Sequence, residues 1–463
     1  MLRKYADLID QTFEFPTEEF YTKNDELYFN GVPLMDLVRK YGTPLKLTYL
    51  PRISKQIQRA KEVFNNAIKK HNYDGKYIYC YCTKSSHFKF VLEEALKNDI
   101  HIETSSAYDI DIVLNLYNSN LITKDTLILC NGFKRERYLM GIAELVNSGF
   151  NCIPILDNFN EVDYYKQHIK GRFKVGIRAA ADEEPDFEFY TSRLGVRYSD
   201  ILNLYEQKLR YDPKIEVKVL HFFINSGIND TEYYWSELSR FVFKYCELKK
   251  VCPELDSLDI GGGFKIKYSL TDVYDHDYMA DQIISIVKEI CDKMRVPHPN
   301  IITEFGTYTV AESGAVLYSV TNQKLQNDKE LWYMIDGSFI THLPDTWGLN
   351  KKFIMLALNN WDQFYHKVHL GGVTCDSDDY YNSEAHSTSV YLPRIDEGNK
   401  LYIGFFHTGA YQESLGGYGG IQHCLIPAPR YIVINRDEEG KLIYKLFSEE
   451  QSAESMLKIL GYL

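Results

Sequence analysis

The sequence predicts an α/β protein of two domains, a (β/α)8 TIM barrel followed by a C-terminal β-sandwich or β-barrel domain. Three observations carry this reading. Between residues 50 and 305, short β-branched or aromatic runs alternate with longer segments of helical periodicity, the pattern of βα units around a parallel sheet. After residue 315 strand-like runs follow one another with no helical segment between them. At 463 residues the chain also exceeds one ordinary hydrophobic core.

The barrel strands are read from eight runs: Lys76–Thr83, Asp99–Glu103, Thr126–Cys130, Cys152–Leu156, Phe173–Arg178, Ile215–Phe222, Asp256–Ile260 and Asn300–Glu304. Segments such as HFKFVLEEALKN (His87–Asn98), RERYLMGIAELVN, YYWSELSRFVFKYCELKK and YMADQIISIVKEICDKM carry the apolar stripe of amphipathic helices. Eight such units close a barrel, and periodicity alone leaves a doubly wound open sheet as the alternative. The β-rich domain is read from AVLYSVT, LWYMIDGSFI, FIMLALNN, HKVHLGGVTC, LYIGFF and RYIVI, with a terminal helix in AESMLKILGY. Residues 1–45, with DELYFNGVPL, are expected to pack with it, giving a barrel over 46–314 and a β domain over 315–463.

Composition narrows the class. With 45% hydrophobic and 25% charged residues and no low-complexity run, the chain is an ordinary globular protein. A net charge of −12 disfavours a nucleic-acid partner and suits a cationic small molecule. The nine cysteines include no CxxC pair, so no metal site is expected from them. No stretch approaches 18 uncharged apolar residues and the N-terminus has no apolar leader core, so no membrane association is expected and the setting is read as reducing and cytoplasmic.

A barrel places its chemistry at the C-terminal ends of its strands. Those ends carry Lys84, Glu103, Asn131–Gly132, Asp157, Arg178, Ser226, Asp259 with Gly261–Gly263, and Glu304. Each residue alone is what any strand-to-loop junction carries; the set puts an amine, several acids and three glycines on one rim. A lysine at a partly desolvated rim can bond an aldehyde cofactor. Gly261, Gly262 and Gly263 after the seventh run suit close approach of backbone amides to a phosphate. Glu304, beside them, suits a protonated pyridine nitrogen. In the β-rich domain, Cys375-Asp376-Ser377-Asp378-Asp379 combines a thiol with acids that can face a guanidinium, and is equally compatible with a solvated acidic turn.

Taken in order, these stretches resemble the fold-type III, alanine racemase-like decarboxylases that depend on pyridoxal 5'-phosphate (PLP). The matching segments are YCYCTKSS, IHIETSS, GIRAAADEEPDFEFYTSRLGV, LHFFINSG, LDIGGGF, TEFGTYTVAESG, TCDSDD and GAYQESLGG, spanning about residues 45 to 425. Within the family, LCNGFK, SFITHLPDTWGLN and CDSDD followed by GAYQESLGG look most like arginine decarboxylases. The resemblance implies decarboxylation of L-arginine to agmatine, a step toward polyamines such as spermidine, by a head-to-tail homodimer with shared active sites. It implies that Lys84 bonds the cofactor and that Glu304 pairs with its ring nitrogen. Gly261, Gly262, Gly263 and Ser226 would take the phosphate with Tyr411 near it, and Glu103 and Arg178 would organise the pocket. Cys375 from the partner subunit would protonate Cα, and Asp376 and Asp378 would face the distal cation.

Two positions depart from the pattern. Phe223 stands where the family's HFHIGS-type motif has a ring-stacking histidine, with Asn225 in place of the following glycine. Thr307 replaces the arginine of the family's E-x-G-R, leaving phosphate binding to backbone amides, Ser226 and Tyr411. Decarboxylation of ornithine, lysine or diaminopimelate, or racemisation on the same fold, are the alternatives. The Cys375 cluster favours decarboxylation, since a racemase generally uses a tyrosine as its second base.

Overall fold

The computed structural model describes residues 3–182, 191–381 and 390–463. It forms two compact units, residues 54–265 with 274–309, and residues 1–53 with 266–273 and 310–463.

In the first unit the eight expected runs become eight parallel strands. They are β1 (Tyr77–Cys82), β2 (His101–Thr104), β3 (Ile128–Cys130), β4 (Cys152–Leu156), β5 (Phe173–Ala180), β6 (Ile215–His221), β7 (Ser257–Asp259) and β8 (Asn300–Phe305). Each pairs with the next, β4 with β5 at Ile155↔Gly176, and β8 returns to β1 at Glu304↔Cys80. The sheet is therefore a closed barrel, and the open-sheet alternative falls away. Its interior is filled by Cys80, Leu129, Ile153, Ile155, Val219 and Ile302, all buried. Gly176 belongs to this packing, because a Cβ there would come within 2.5 Å of the Ile155 side chain. The amphipathic segments form helices at Lys89–Leu96, Glu136–Asn147, Glu232–Val251 and His276–Met294.

The second unit is built on a mixed sheet whose spine is the 13-residue strand Gly314–Gln326. Leu45–Tyr49 pairs antiparallel with its start and parallel with Arg430–Arg436. The expected boundary at residue 45 thus falls at the head of a strand that hydrogen-bonds into the β-rich unit. Five consecutive buried residues with no exposed face make that strand indistinguishable by pattern from a barrel strand. Residues 266–273 join the same unit because Tyr268 and Leu270 pack against its core. Among the described residues no helix is long and apolar enough to cross a membrane.

Candidate active site

Every barrel strand delivers one polar side chain to the same rim, and the first is an amine. Strand β1 ends in a tight turn, Thr83–Ser85, that carries Lys84 out of the sheet. The turn is tied down by Asp109, which accepts from Thr83 Oγ1 at 3.0 Å and pairs with His87 at 3.1 Å. Its other oxygen accepts the backbone amides of Ser105 and Ser106 at 2.9 Å each. Asp109 reaches that position as the N3 residue of a capping box opened by Ser106, so a local helix-start signal fixes the lysine turn.

Lys84 Nζ donates to Glu103 Oε2 at 3.0 Å and to Cys82 Sγ at 3.6 Å. The register Cys82↔Glu103 between β1 and β2 makes this meeting a consequence of sheet pairing. Glu103 is wholly buried, its Oε1 has no hydrogen-bond partner, and the lysine side chain is 42% exposed. Burial raises Glu103 to about 7, opposed by the Lys84 ammonium and reinforced by Glu304.

Glu304, on β8, is the hub. Asn131 Nδ2 donates to both of its oxygens at 3.3 Å, and His221 Nε2 lies 3.2 Å from Oε2. Arg178 Nη1 donates to Asn131 Oδ1 at 3.2 Å, so the guanidinium orients the amide that orients the carboxylate. Burial works against ionisation of Glu304, but His221, Lys84 and Arg178 outweigh it and bring the carboxyl down to about 2. His221 is itself pulled down by burial, which the charge of Glu304 and the hydrogen bond to it oppose. Asp259, on β7, is pushed well above the usual carboxylate range by burial and by the nearby Glu304. Two adjoining carboxyl groups are thereby driven to opposite protonation states.

Above this hub lies a cradle with room for no side chain. Gly263 has φ +113°, and a Cβ there would come within 2.4 Å of Gly227 Cα. A Cβ on Gly262 would meet the Glu304 carbonyl oxygen at 2.3 Å. The Oγ of Ser226, the residue before Gly227, is buried and makes no hydrogen bond. Phe223 is half-buried, with its ring against the position a Gly261 side chain would take. Asp157, also on the rim, is engaged structurally: it accepts the Gly195 amide at 2.8 Å. Thr307 opens the short helix Thr307–Val310 that follows β8.

The remaining sequence-derived candidates, Cys375, Asp376, Asp378 and Tyr411, belong to the β-rich unit. There the three stretches singled out by sequence are knitted together. Asp379, buried, accepts Ser338 Oγ at 3.1 Å, Phe339 N at 2.8 Å and Thr374 Oγ1 at 2.7 Å, anchoring the segment that carries Cys375. Gln412 Nε2, next to Tyr411, donates to Asp345 Oδ2 at 2.8 Å, which links GAYQESLGG to SFITHLPDTWGLN. Cys375 is exposed, and its thiol is pushed up by the Cys424 thiol 3.5 Å away. It holds its proton at neutral pH. Of the stretch GIRAAADEEPDFEFYTSRLGV, residues 183–190 lie outside the described residues.

Sequence reasoning assigned no role to His221 or Asn131. His221 sits inside an apolar run and reads as core, while Asn131 before Gly132 reads as a turn. The available signal was strand register, since Arg178↔His221 and His221↔Asp259 are cross-strand neighbours.

Residues 51–311 match the family of the pyridoxal-dependent decarboxylases, over its pyridoxal binding domain. A biosynthetic arginine decarboxylase of Geobacter sp. (strain M21) is 23% identical over 501 residues, covering 82% of this chain and 78% of the relative. Among solved structures, the biosynthetic arginine decarboxylase of Campylobacter jejuni superposes with a TM-score of 0.82 at 21% identity, over 100% of this chain and 91% of the other. The diaminopimelate decarboxylase of M. jannaschii gives 0.80 at 20% identity, over 95% and 97%.

Proposed function

On the premise that the chain belongs to the pyridoxal-dependent decarboxylases, we propose that it removes the α-carboxylate of L-arginine, giving agmatine and carbon dioxide for polyamine synthesis in the cytoplasm. The reading is supported above all by one observation: an amine, a buried carboxylate held ionised and a glycine cradle occupy one barrel rim.

The residues present fit the cofactor. Ser226 Oγ is a buried hydroxyl without a partner, and Gly262 and Gly263 stand where a Cβ would strike neighbouring backbone, so only glycine can carry the backbone amides at these positions. When bound, PLP supplies an electron-accepting ring that stabilises the negative charge left on Cα as carbon dioxide departs. The chain's own groups do the rest. Lys84 would hold the cofactor covalently through its Nζ. Glu304, fixed by Asn131 and His221, would hold a proton on the pyridine nitrogen. Ser226 with the amides of Gly261, Gly262 and Gly263 would bind the phosphate, Tyr411 would contribute to the same group, and Phe223 would face the ring where the family pattern has histidine. Glu103 and Arg178 orient Lys84 and Asn131.

In the proposed homodimer the partner subunit's Cys375 delivers the proton to Cα, for which a thiol protonated at neutral pH is the required form. Asp376 and Asp378 face the guanidinium, whose planar fork suits carboxylates. The Geobacter and Campylobacter relatives, named for arginine, support this choice of substrate. The experiment is incubation of the purified holoenzyme with arginine, ornithine, lysine and diaminopimelate and identification of each amine and of carbon dioxide. Agmatine is expected; an amine from ornithine, lysine or diaminopimelate with none from arginine overturns the choice, and racemised substrate without carbon dioxide overturns the reaction.

A further inference from the structure

Seven of the nine cysteines are buried, and the two exposed ones stand together. Cys375 Sγ and Cys424 Sγ are 3.5 Å apart, although 49 positions separate them in the chain, and both belong to the β-rich unit. A second contact joins the same two segments: His423 Nε2 lies 3.5 Å from Asp376 Oδ2. Adjacent residues of one strand of chain therefore face adjacent residues of the other. The Cys375 side is anchored by Asp379, so the approach of the sulfurs is imposed by buried hydrogen bonds on that side.

From this juxtaposition we infer that Cys375 and Cys424 form a reversible disulfide that captures the proton-donating thiol and switches the enzyme off under oxidising conditions. Closing the pair needs the sulfurs to move by only about 1.5 Å, to a bond of about 2.05 Å. On the single chain both thiols are exposed, whereas Cys80, Cys82, Cys130, Cys152, Cys246, Cys252 and Cys291 are buried within the fold itself. The oxidant is a low-molecular-weight disulfide. One thiol, as thiolate, attacks it to give a mixed disulfide and one small thiol. The second protein thiolate then attacks that mixed disulfide, forming the Cys375–Cys424 bond and releasing the second small thiol. The two protein sulfurs lose two electrons and the reagent gains them, with the two protein protons ending on the small thiols.

The disulfide rests on geometry alone; its effect on catalysis rests on the proposed role of Cys375. The PLP-loaded enzyme is equilibrated with glutathione buffers of rising oxidised fraction, quenched with an alkylating agent, digested and analysed by mass spectrometry, with activity read in parallel. The expected result is a peptide pair joined through Cys375 and Cys424 and lighter by two hydrogens. Activity falls in step by roughly 100-fold, the scale of a lost general acid, and returns with dithiothreitol. The Cys424→Ser enzyme is expected to keep its activity and lose this reversible inactivation. Absence of the joined peptides at every redox poise, or joined peptides of other cysteines only, overturns the disulfide. Joined peptides with unchanged activity overturn Cys375 as the proton donor while leaving the disulfide standing.

Discussion

Glu103 and Glu304 meet at the barrel rim, where Cys82 Sγ and one oxygen of each carboxylate lie within 4.8 Å of one another, yet they titrate in opposite directions. The sign of each shift gives a test. Glu103 is raised by burial, so its contribution to stability is present below the ordinary carboxylate pKa and is lost as pH rises through about 7. Glu103→Gln abolishes that titration. In the cofactor-free protein, the stability of the variant relative to wild type is expected to improve by about 2 kcal/mol from about pH 5 to about pH 8, measured by urea unfolding. A difference that does not change with pH contradicts the assignment. Glu304 behaves inversely, its contribution being present above the ordinary value and lost as pH falls toward about 2.

Lys84, Glu103, Arg178 and Glu304 were legible in the sequence because a barrel sends strand-end residues to one rim. His221 was not, because a histidine closing an apolar run gives no sign of which ring nitrogen meets a carboxylate. That information resides in the pairing of β5 with β6 and of β6 with β7.

At the scale of elements, the glycine triplet after β7 and the loop after β6 form one structure, since Gly263 Cα and Gly227 leave no gap for a methyl group. Ser226→Ala removes the unpartnered hydroxyl without altering the backbone, and is expected to weaken PLP binding about fivefold, close to 1 kcal/mol, by titration of cofactor absorbance. Gly263→Ala forces a left-handed alanine against Gly227 and is expected to cost about 2 kcal/mol of stability as well. Unchanged affinity in both variants contradicts the phosphate assignment. Strands and long helices of the barrel were legible because their periodicities differ. The Leu45–Tyr49 strand was not placed, because burial on both faces erases the alternation that tells one sheet from another.

For the whole molecule, the decisive feature is that the amine and the thiol lie in different compact units. If one subunit's barrel uses the partner subunit's Cys375, an inactive Lys84→Ala enzyme and an inactive Cys375→Ala enzyme, mixed and allowed to exchange subunits, are expected to regain activity that neither has alone. Failure to regain it, with exchange verified by native mass spectrometry, contradicts shared sites. Sequence alone could separate the two units by the loss of long amphipathic helices after residue 315, but the return of residues 266–273 to the β-rich unit depends on Tyr268 and Leu270 packing against its core, which no local pattern announces.

The most direct test is to reduce the PLP-loaded enzyme with borohydride and map the labelled peptide. A phosphopyridoxyl group on Lys84, at one per chain, is the expected result. Its attachment to any other lysine, or to none, contradicts the account at its foundation.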